Sequence, residues 1–265
     1  MGYSVAGKNV LVTGASSGIG AALARGFAAA GATVGICARR EDRLASVLAD
    51  LREHSPASRA WTVDLADLDG IEPFARRASD ELGGIDVLVN NAGIPKRRVV
   101  TALDPATVEA VMAINYFSPV RLTLALLPEL IERSGRIVNV SSVAARLGPP
   151  AEAAYTASKA ALTGWSESMQ VDLGVAGHDV RVHVVNPGVI DTELFHLPDN
   201  DPSLAPLDAL PTEAMVQPVL DALDQGTFEI YVPGWFADVV GNKFPDTGAF
   251  IAGSVAWARQ QTGAV

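Results

Sequence analysis

The sequence predicts an α/β fold in which an open parallel sheet carries helices on both faces. Three observations point there. Short apolar runs recur near residues 9–12, 33–37, 60–63, 86–89, 136–140, 180–185 and 229–232. Helical stretches separate most of them, over 41–53, 71–82, 105–132, 152–175 and 212–225. A glycine-rich turn follows the first run. Short continuous apolar runs suit strands buried on both faces, and strands alternating with helices imply parallel pairing through right-handed crossovers. The expected strand order is 3-2-1-4-5-6-7, with a ligand crevice at the carboxyl ends of the strands.

The first unit runs from Lys8 to Phe27. Val10, Leu11 and Val12 read as a buried strand, the turn carries Gly14, Ser16, Ser17, Gly18, Ile19 and Gly20, and Ala21 to Phe27 reads as a helix. Strand, glycine turn and helix make half of a dinucleotide-binding, Rossmann-like unit. Gly14 permits a sharp turn, Gly18 lets backbone approach a pyrophosphate, and Gly20 lets helix and strand pack closely while the helix N-terminus faces the anion. The spacing G-x-x-x-G-x-G is a variant of the usual fingerprint, and a plain strand-to-helix turn is the bland alternative.

Later elements carry candidate chemistry. Asp86 to Val89 form a strand that ends in Asn90-Asn91-Ala92-Gly93 at the expected crevice. Within the helical stretch 105–132, Asn115 sits mid-helix, where asparagine is disfavoured, so some local reason is required. Bonding to neighbouring backbone is the simplest one. The strand 136–140 leads into Ser141 and Ser142, and Tyr155 and Lys159 follow four residues apart in a helix. Positions i and i+4 share a helix face, so the ammonium can lie beside the phenol. A phenol has an unperturbed pKa of about 10, and a neighbouring cation favours its phenolate. Such a tyrosine could act as a general acid or base near neutral pH.

Taken in order, Thr13 to Gly20, Asn90 to Gly93, Asn115, Ser142, Tyr155, Lys159 and Pro187-Gly188 resemble the short-chain dehydrogenase/reductase family in its single-domain form. The resemblance runs from about Lys8 to Gly234, leaving 235–265 as an apolar tail outside the common core. It implies an NAD(P)(H)-dependent oxidoreductase moving hydride between the nicotinamide and an alcohol, ketone or aldehyde carbon. Tyr155 would be the general acid/base, and Lys159 would lower its pKa and bind the nicotinamide ribose. Ser142, preferred over Ser141 for its spacing to Tyr155, would hold the substrate oxygen, and Asn115 would anchor a water linked to Lys159. Asn90 would stabilise the sheet. Asn91, Ala92 and Gly93 would border the cofactor. Pro187, Gly188, Val189, Ile190 and Thr192 would meet the nicotinamide carboxamide.

The same resemblance narrows the cofactor. NAD-preferring relatives place an acid at the end of the second strand. Here Ala38 stands at that position, followed by Arg39 and Arg40. Arginines suit a ribose 2′-phosphate, so NADP(H) is expected over NAD(H). The alternative is that both merely begin a solvated helix. Asp64 and Leu65 resemble the pair that holds the adenine ring, although a loop aspartate would look the same.

Composition sets bounds. The 265 residues suit one domain, and 20 basic against 30 acidic residues argue against a nucleic-acid partner. The lone Cys37 allows no internal disulfide, which fits a reducing cytosol. No secretory pattern opens the chain, and Ala6 breaks the myristoylation pattern. The apolar helix around Leu122 to Ile131 looks too short to span a bilayer. The sequon Asn139-Val140-Ser141 falls in an expected buried strand. His54, His178, His183 and His196 show no metal-ligand spacing, and Ser142 is not in a G-x-S-x-G elbow.

Substrate features are less specific. The stretch from Glu193 to Leu197, continuing through Leu204, Leu207 and Leu210, should fold over the site. Its leucines either line the site for an apolar small-molecule substrate or pack on the protein. Lys96-Arg97-Arg98 reads as a solvated face or as a contact for an anionic substrate. The tail, with Trp235, Phe236, Phe244, Phe250, Ile251 and Trp257, should pack on the domain or on a sister subunit, ahead of closing the pocket or meeting a membrane. A homodimer or homotetramer is expected. A non-catalytic cofactor-binding regulator, or enone reduction or epimerisation on the same scaffold, are the other readings.

Overall fold

Each apolar run forms a strand, and the glycine-turn unit sets the pattern for the rest. A computed structural model describes residues 2–203 and 208–262. The strands are β1 (Asn9–Thr13), β2 (Thr33–Ala38), β3 (Arg59–Thr62), β4 (Val87–Asn90), β5 (Arg136–Val140), β6 (Arg181–Pro187) and β7 (Glu229–Val232). They pair in the order β3-β2-β1-β4-β5-β6-β7, all parallel, as expected. The register sets Val12 beside Ile36 and Val89, so the strand ends that carry Gly14, Ala38 and Asn90 lie together at one edge.

Alternation along the strands divides the core between two faces. Val10, Val12, Val34 and Ile36 point to one face. There they pack against α1 (Gly18–Ala29), α2 (Glu41–His54) and α8 (Val216–Gln225) through Phe27, Leu51 and Val219. Leu11, Cys37, Leu88 and Ile137 point to the other. There they meet α3 (Ile71–Leu82), α5 (Ser118–Glu132) and α7 (Ala153–Val175) through Phe74, Leu126 and Leu173. The short helix α6 (Ala144–Leu147) links β5 to α7.

The stretch 105–132 is not one regular helix. Asp104 caps α4 (Pro105–Met112) by accepting from the Thr107 amide at 2.8 Å. A π-helical turn, Ala113–Phe117, then joins α4 to α5. Within the continuous run of 28 residues, an 18-residue window has a mean hydropathy of 1.4, so the run is long and apolar enough to cross a membrane by length and composition. From the sequence only the apolar part around Leu122 to Ile131 is singled out, and that part is too short to span. Its inner face is a core face, since Leu122, Leu126 and Leu130 are buried against the sheet layer.

After β6 the chain leaves the sheet and returns. An isolated parallel bridge joins Ile190 to Leu210, with the Asp191 amide donating to the Leu210 carbonyl and the Leu210 amide to the Val189 carbonyl. The described residues between them form a strap that borders a cavity through Thr192, Glu193, Leu194, Leu197 and Ser203. Leu204 and Leu207 lie outside the described residues. The tail, expected to pack on the domain or a subunit, forms two helices that differ in burial. In α9 (Phe236–Lys243), Phe236 and Val240 are buried. In α10 (Thr247–Thr262) no residue is buried and Ile251 is exposed. Its larger apolar side chains Phe250, Ile251, Val255 and Trp257 stand apart among small and polar residues, so α10 has no continuous apolar face to bury.

Candidate active site

The carboxyl ends of β1, β2, β4, β5 and β6 surround a cavity of about 550 Å³. Of the residues singled out in the sequence, Gly14, Ser16, Ser17, Gly18, Ile19, Arg39, Arg40, Asp64, Leu65, Asn91, Ala92, Gly93, Ser142, Tyr155, Lys159, Pro187, Gly188, Ile190 and Thr192 line it. Gly20 and Asn115 stand just behind the wall. Gly14 turns with φ +66°, and a Cβ there would come within 2.7 Å of the Ala92 Cα. At Gly20 a Cβ would lie 2.6 Å from the Gly14 carbonyl oxygen, so α1 sits directly on the turn.

The reacting corner is built by β5 and α7. Ser142 and Tyr155 both line the cavity, with Ser142 Oγ accepting from the Ala144 amide at 3.1 Å, whereas Ser141 bonds Thr163 Oγ1 at 2.9 Å and donates to the Lys159 carbonyl. Both serines border the cavity, but the Ser141 hydroxyl is engaged by α7 through Thr163 and the Lys159 carbonyl. Lys159, 4% exposed, donates from Nζ to the Val140 carbonyl at 2.8 Å, and Nζ lies 5.8 Å from the Tyr155 ring centroid. The expectation that Lys159 lowers the tyrosine pKa is not met in this arrangement. Burial pushes the Tyr155 phenol up to about 12, the neighbouring Ser142 hydroxyl opposes the rise, and the Glu152 charge adds to it. Burial likewise brings Lys159 down to about 8. Lys159 is not among the groups that shift the phenol here, and its ammonium is turned to a backbone carbonyl.

The local reason required for a mid-helix asparagine is the π turn. Asn115 is buried there, accepting from the Ile94 amide at 2.8 Å and donating to the Ile94 carbonyl and to Ser158 Oγ, both at 3.0 Å. Ser158 Oγ in turn donates to the Tyr155 carbonyl at 2.7 Å. Asn115 therefore ties the loop after β4 to the helix that carries Tyr155 and Lys159. Asn90 donates to Asn139 Oδ1 at 2.8 Å and to Thr123 Oγ1 at 3.0 Å, linking β4 to β5 and α5. Asn139 is fully buried, so the sequon is a core position. Asn91 Nδ2 donates to the Thr13 carbonyl at 2.9 Å and fixes the loop to the glycine turn.

At the other end of the cavity, Arg40 donates from Nη2 to Ser17 Oγ at 2.6 Å and Ser16 Oγ at 3.1 Å, while Arg39 stands exposed beside it. Asp64 accepts from the Ala66 amide at 3.0 Å, the turn expected of a loop aspartate, and still lines the cavity with buried Leu65.

The sequence profile of the short chain dehydrogenases matches residues 8–201. The chain belongs to the short-chain dehydrogenase/reductase family. With it the chain joins the NAD(P)-dependent oxidoreductases. It is 36% identical over 223 residues to a short chain dehydrogenase of Pseudocercospora fijiensis, covering 83% of this chain and 68% of that protein. It is 41% identical to a dehydrogenase/reductase SDR family protein 7-like of Anopheles gambiae, of which it spans 61%. Among solved structures, a short chain dehydrogenase of Burkholderia cenocepacia in complex with NADP superposes with a TM-score of 0.80 at 31% identity, covering 94% of this chain and 98% of that one. A short chain dehydrogenase/reductase of Burkholderia phymatum in complex with NAD shares the fold, with a TM-score of 0.82 at 22% identity and coverage of 92% and 95%.

The cavity of this short-chain dehydrogenase/reductase fits a dinucleotide. Ser17 stands at the N-terminus of α1 without accepting a side-chain cap bond, so the first helix amides face the cavity as an anion site. The glycine turn leaves bare backbone along that wall. Some residues near the site carried no sequence signal. One is Glu152, whose carboxyl burial raises to about 7 against the opposing charge of Arg97; Phe236 and Trp257 line the cavity from the tail, the pocket-closing alternative offered for that segment. Lys96 and Arg98 both pair with Asp199, Arg97 Nε donates to the Asp201 carbonyl at 2.9 Å, and the Val99 amide donates to Asp201 Oδ2 at 2.9 Å. That basic run is thus a clamp on the strap, a role neither reading of the sequence offered. Leu194 and Leu197 line the cavity from the strap, whereas Leu210 packs on the core.

Proposed function

We propose that this protein is an NADP(H)-preferring reductase or dehydrogenase acting on the CH–OH group of a small to medium apolar alcohol, or on the matching ketone or aldehyde. One observation carries the reading: Ser142 and Tyr155 line the same cavity as the glycine turn and Arg40, with Lys159 buried beside them. Bound with its pyrophosphate at the N-terminus of α1, the nicotinamide cofactor supplies or accepts the hydride. Ser142 donates to the substrate oxygen where negative charge develops, and Tyr155 gives that oxygen its proton in reduction or takes it in oxidation. Lys159 and Asn115 position the helix and the loop around that oxygen, and Lys159 offers Nζ to the nicotinamide ribose.

Arg39 and Arg40 at the end of β2, with Ala38 where an acid would read a ribose hydroxyl, support the NADP(H) preference. Ile94, Leu147, Val189, Leu194 and Trp257 around the reacting corner support an apolar substrate. The buried, unpaired thiol of Cys37 accords with a reducing compartment, and we place the protein in the cytosol.

Replacing Tyr155 with Phe should abolish turnover of every ketone, aldehyde or alcohol that the wild type uses, while NADPH binding, followed by nicotinamide fluorescence, stays intact. Full activity in that variant would remove Tyr155 from the mechanism. Stronger binding of NADH than of NADPH by the wild type would remove the cofactor preference.

A further inference from the structure

Arg40 is already holding an anion. Its Nη1 lies 2.8 Å from Oε2 of Glu193, and Arg43 pairs with the other carboxylate oxygen of the same residue. Glu193 opens the 3₁₀ turn Glu193–His196 on the strap, 153 residues away from Arg40 in sequence. Meanwhile Nη2 of Arg40 is bonded to Ser16 and Ser17 of the glycine turn. One guanidinium therefore joins β2, the glycine turn and the strap, at the strand end where a bound adenosine ribose belongs.

Building on the NADP(H) reading above, we propose that Glu193 is an internal substitute for the ribose 2′-phosphate. It occupies Arg40 and Arg43 until the phosphate displaces it, and so sets how strongly the site discriminates between NADP(H) and NAD(H).

The charges favour this exchange. Two guanidinium groups face one carboxylate, which leaves a net positive charge that a phosphate of about −1.5 to −2 neutralises better and with three acceptor oxygens. The 2′-hydroxyl of NAD(H) is neutral and cannot compete for the arginines. Arg43 and Arg40 hold the Glu193 carboxyl below the ordinary carboxylate range, so the competing charge is present throughout the neutral range. The pairs are about half exposed (43% and 47% of the side chains), which keeps the clasp weak enough to yield. Release of Glu193 also frees the turn next to Leu194 and Leu197, so phosphate binding reaches the substrate wall.

The opposite role is chemically available to the same carboxylate. An acid at this place could accept from the 2′-hydroxyl of NADH, as acids on the second strand do in other dinucleotide folds. The two roles predict opposite results for Glu193→Gln. Under the clasp, the variant binds NADPH and the nicotinamide-free probe adenosine 2′,5′-bisphosphate roughly threefold or more tightly, as loss of an exposed ion-pair competitor allows. Binding of NADH and of adenosine 5′-monophosphate stays as in the wild type. Arg43→Ala should weaken NADPH and leave NADH unchanged. Calorimetric titration of the full chain reads all of these without turnover. An unchanged NADPH-to-NADH affinity ratio in Glu193→Gln, or weakened NADH binding, overturns the clasp while leaving the cofactor assignment in place. Wild-type protein that binds neither NADPH nor NADH overturns both.

Discussion

An ammonium that is 4% exposed, with a backbone carbonyl as its partner, is held against its own hydration. The fall of the Lys159 pKa from 10.5 to about 8 corresponds to about 3 kcal/mol of bias against the charged form. Above pH 10.5 the lysine is neutral whether the chain is folded or unfolded, and nothing is lost. Between there and pH 8 the unfolded chain takes up the proton first, so stability falls, and below pH 8 the whole cost is present. Lys159→Met should therefore be inactive yet more stable at pH 7, by about 1–2 kcal/mol or ~3–6 °C in Tm, with the gain fading towards pH 10.5. Thermal melts of both proteins across that range check it, and a Met variant that melts lower at pH 7 contradicts it. Tyr155 and Lys159 were legible in the sequence because helix geometry alone places i and i+4 on one face. The direction of the ammonium was not, because it depends on the Val140 carbonyl of a strand 19 residues away.

Among the elements, the π turn does what a regular helix could not. Widening the helix at Ala113–Phe117 places Asn115 between the loop at Ile94 and Ser158 of α7. Asn115→Ala would leave the Ile94 amide and carbonyl without these partners, at a cost of about 2–4 kcal/mol. Exchange of the Ile94 amide hydrogen should quicken more than that of the β4 amides, and equal protection in the variant would count against the tie. The sequence showed that Asn115 was out of place in a helix but not why, since propensity registers the conflict and a π turn leaves no periodic mark. The strap was still less legible. Its clasps join Glu193 to Arg40 and Arg43, and Asp199 to Lys96 and Arg98, across more than a hundred residues. Each partner alone reads as a solvated charge.

For the whole molecule, strand order and the two-faced core were legible because continuous apolar runs admit few parallel arrangements. The tail was not, because α10 has no continuous apolar face to specify what it touches. Outward apolar side chains remain on the layer of helices opposite α1. Phe117 and Leu124 are 46% and 54% exposed at the start and on α5, and Val171 and Val175 are 64% and 85% exposed on α7. We propose that this layer joins copies of the chain into a homodimer or homotetramer. Light scattering should then give a multiple of 27.6 kDa, and Leu124→Glu with Val171→Glu should lower it towards one chain. A monomeric wild type would refute the assignment.

The bridge between Ile190 and Leu210 has a consequence for how such a protein can change over generations. Because the bridge holds the two ends of the strap to each other, the entropy of closing that loop is already set by it. Doubling the length of a flexible loop adds only about 0.6 kcal/mol. Insertions between the bridged residues can therefore reshape the wall above Tyr155 at almost no cost to the seven strands below. New substrates are open to this chain by lengthening one segment, with the core left untouched.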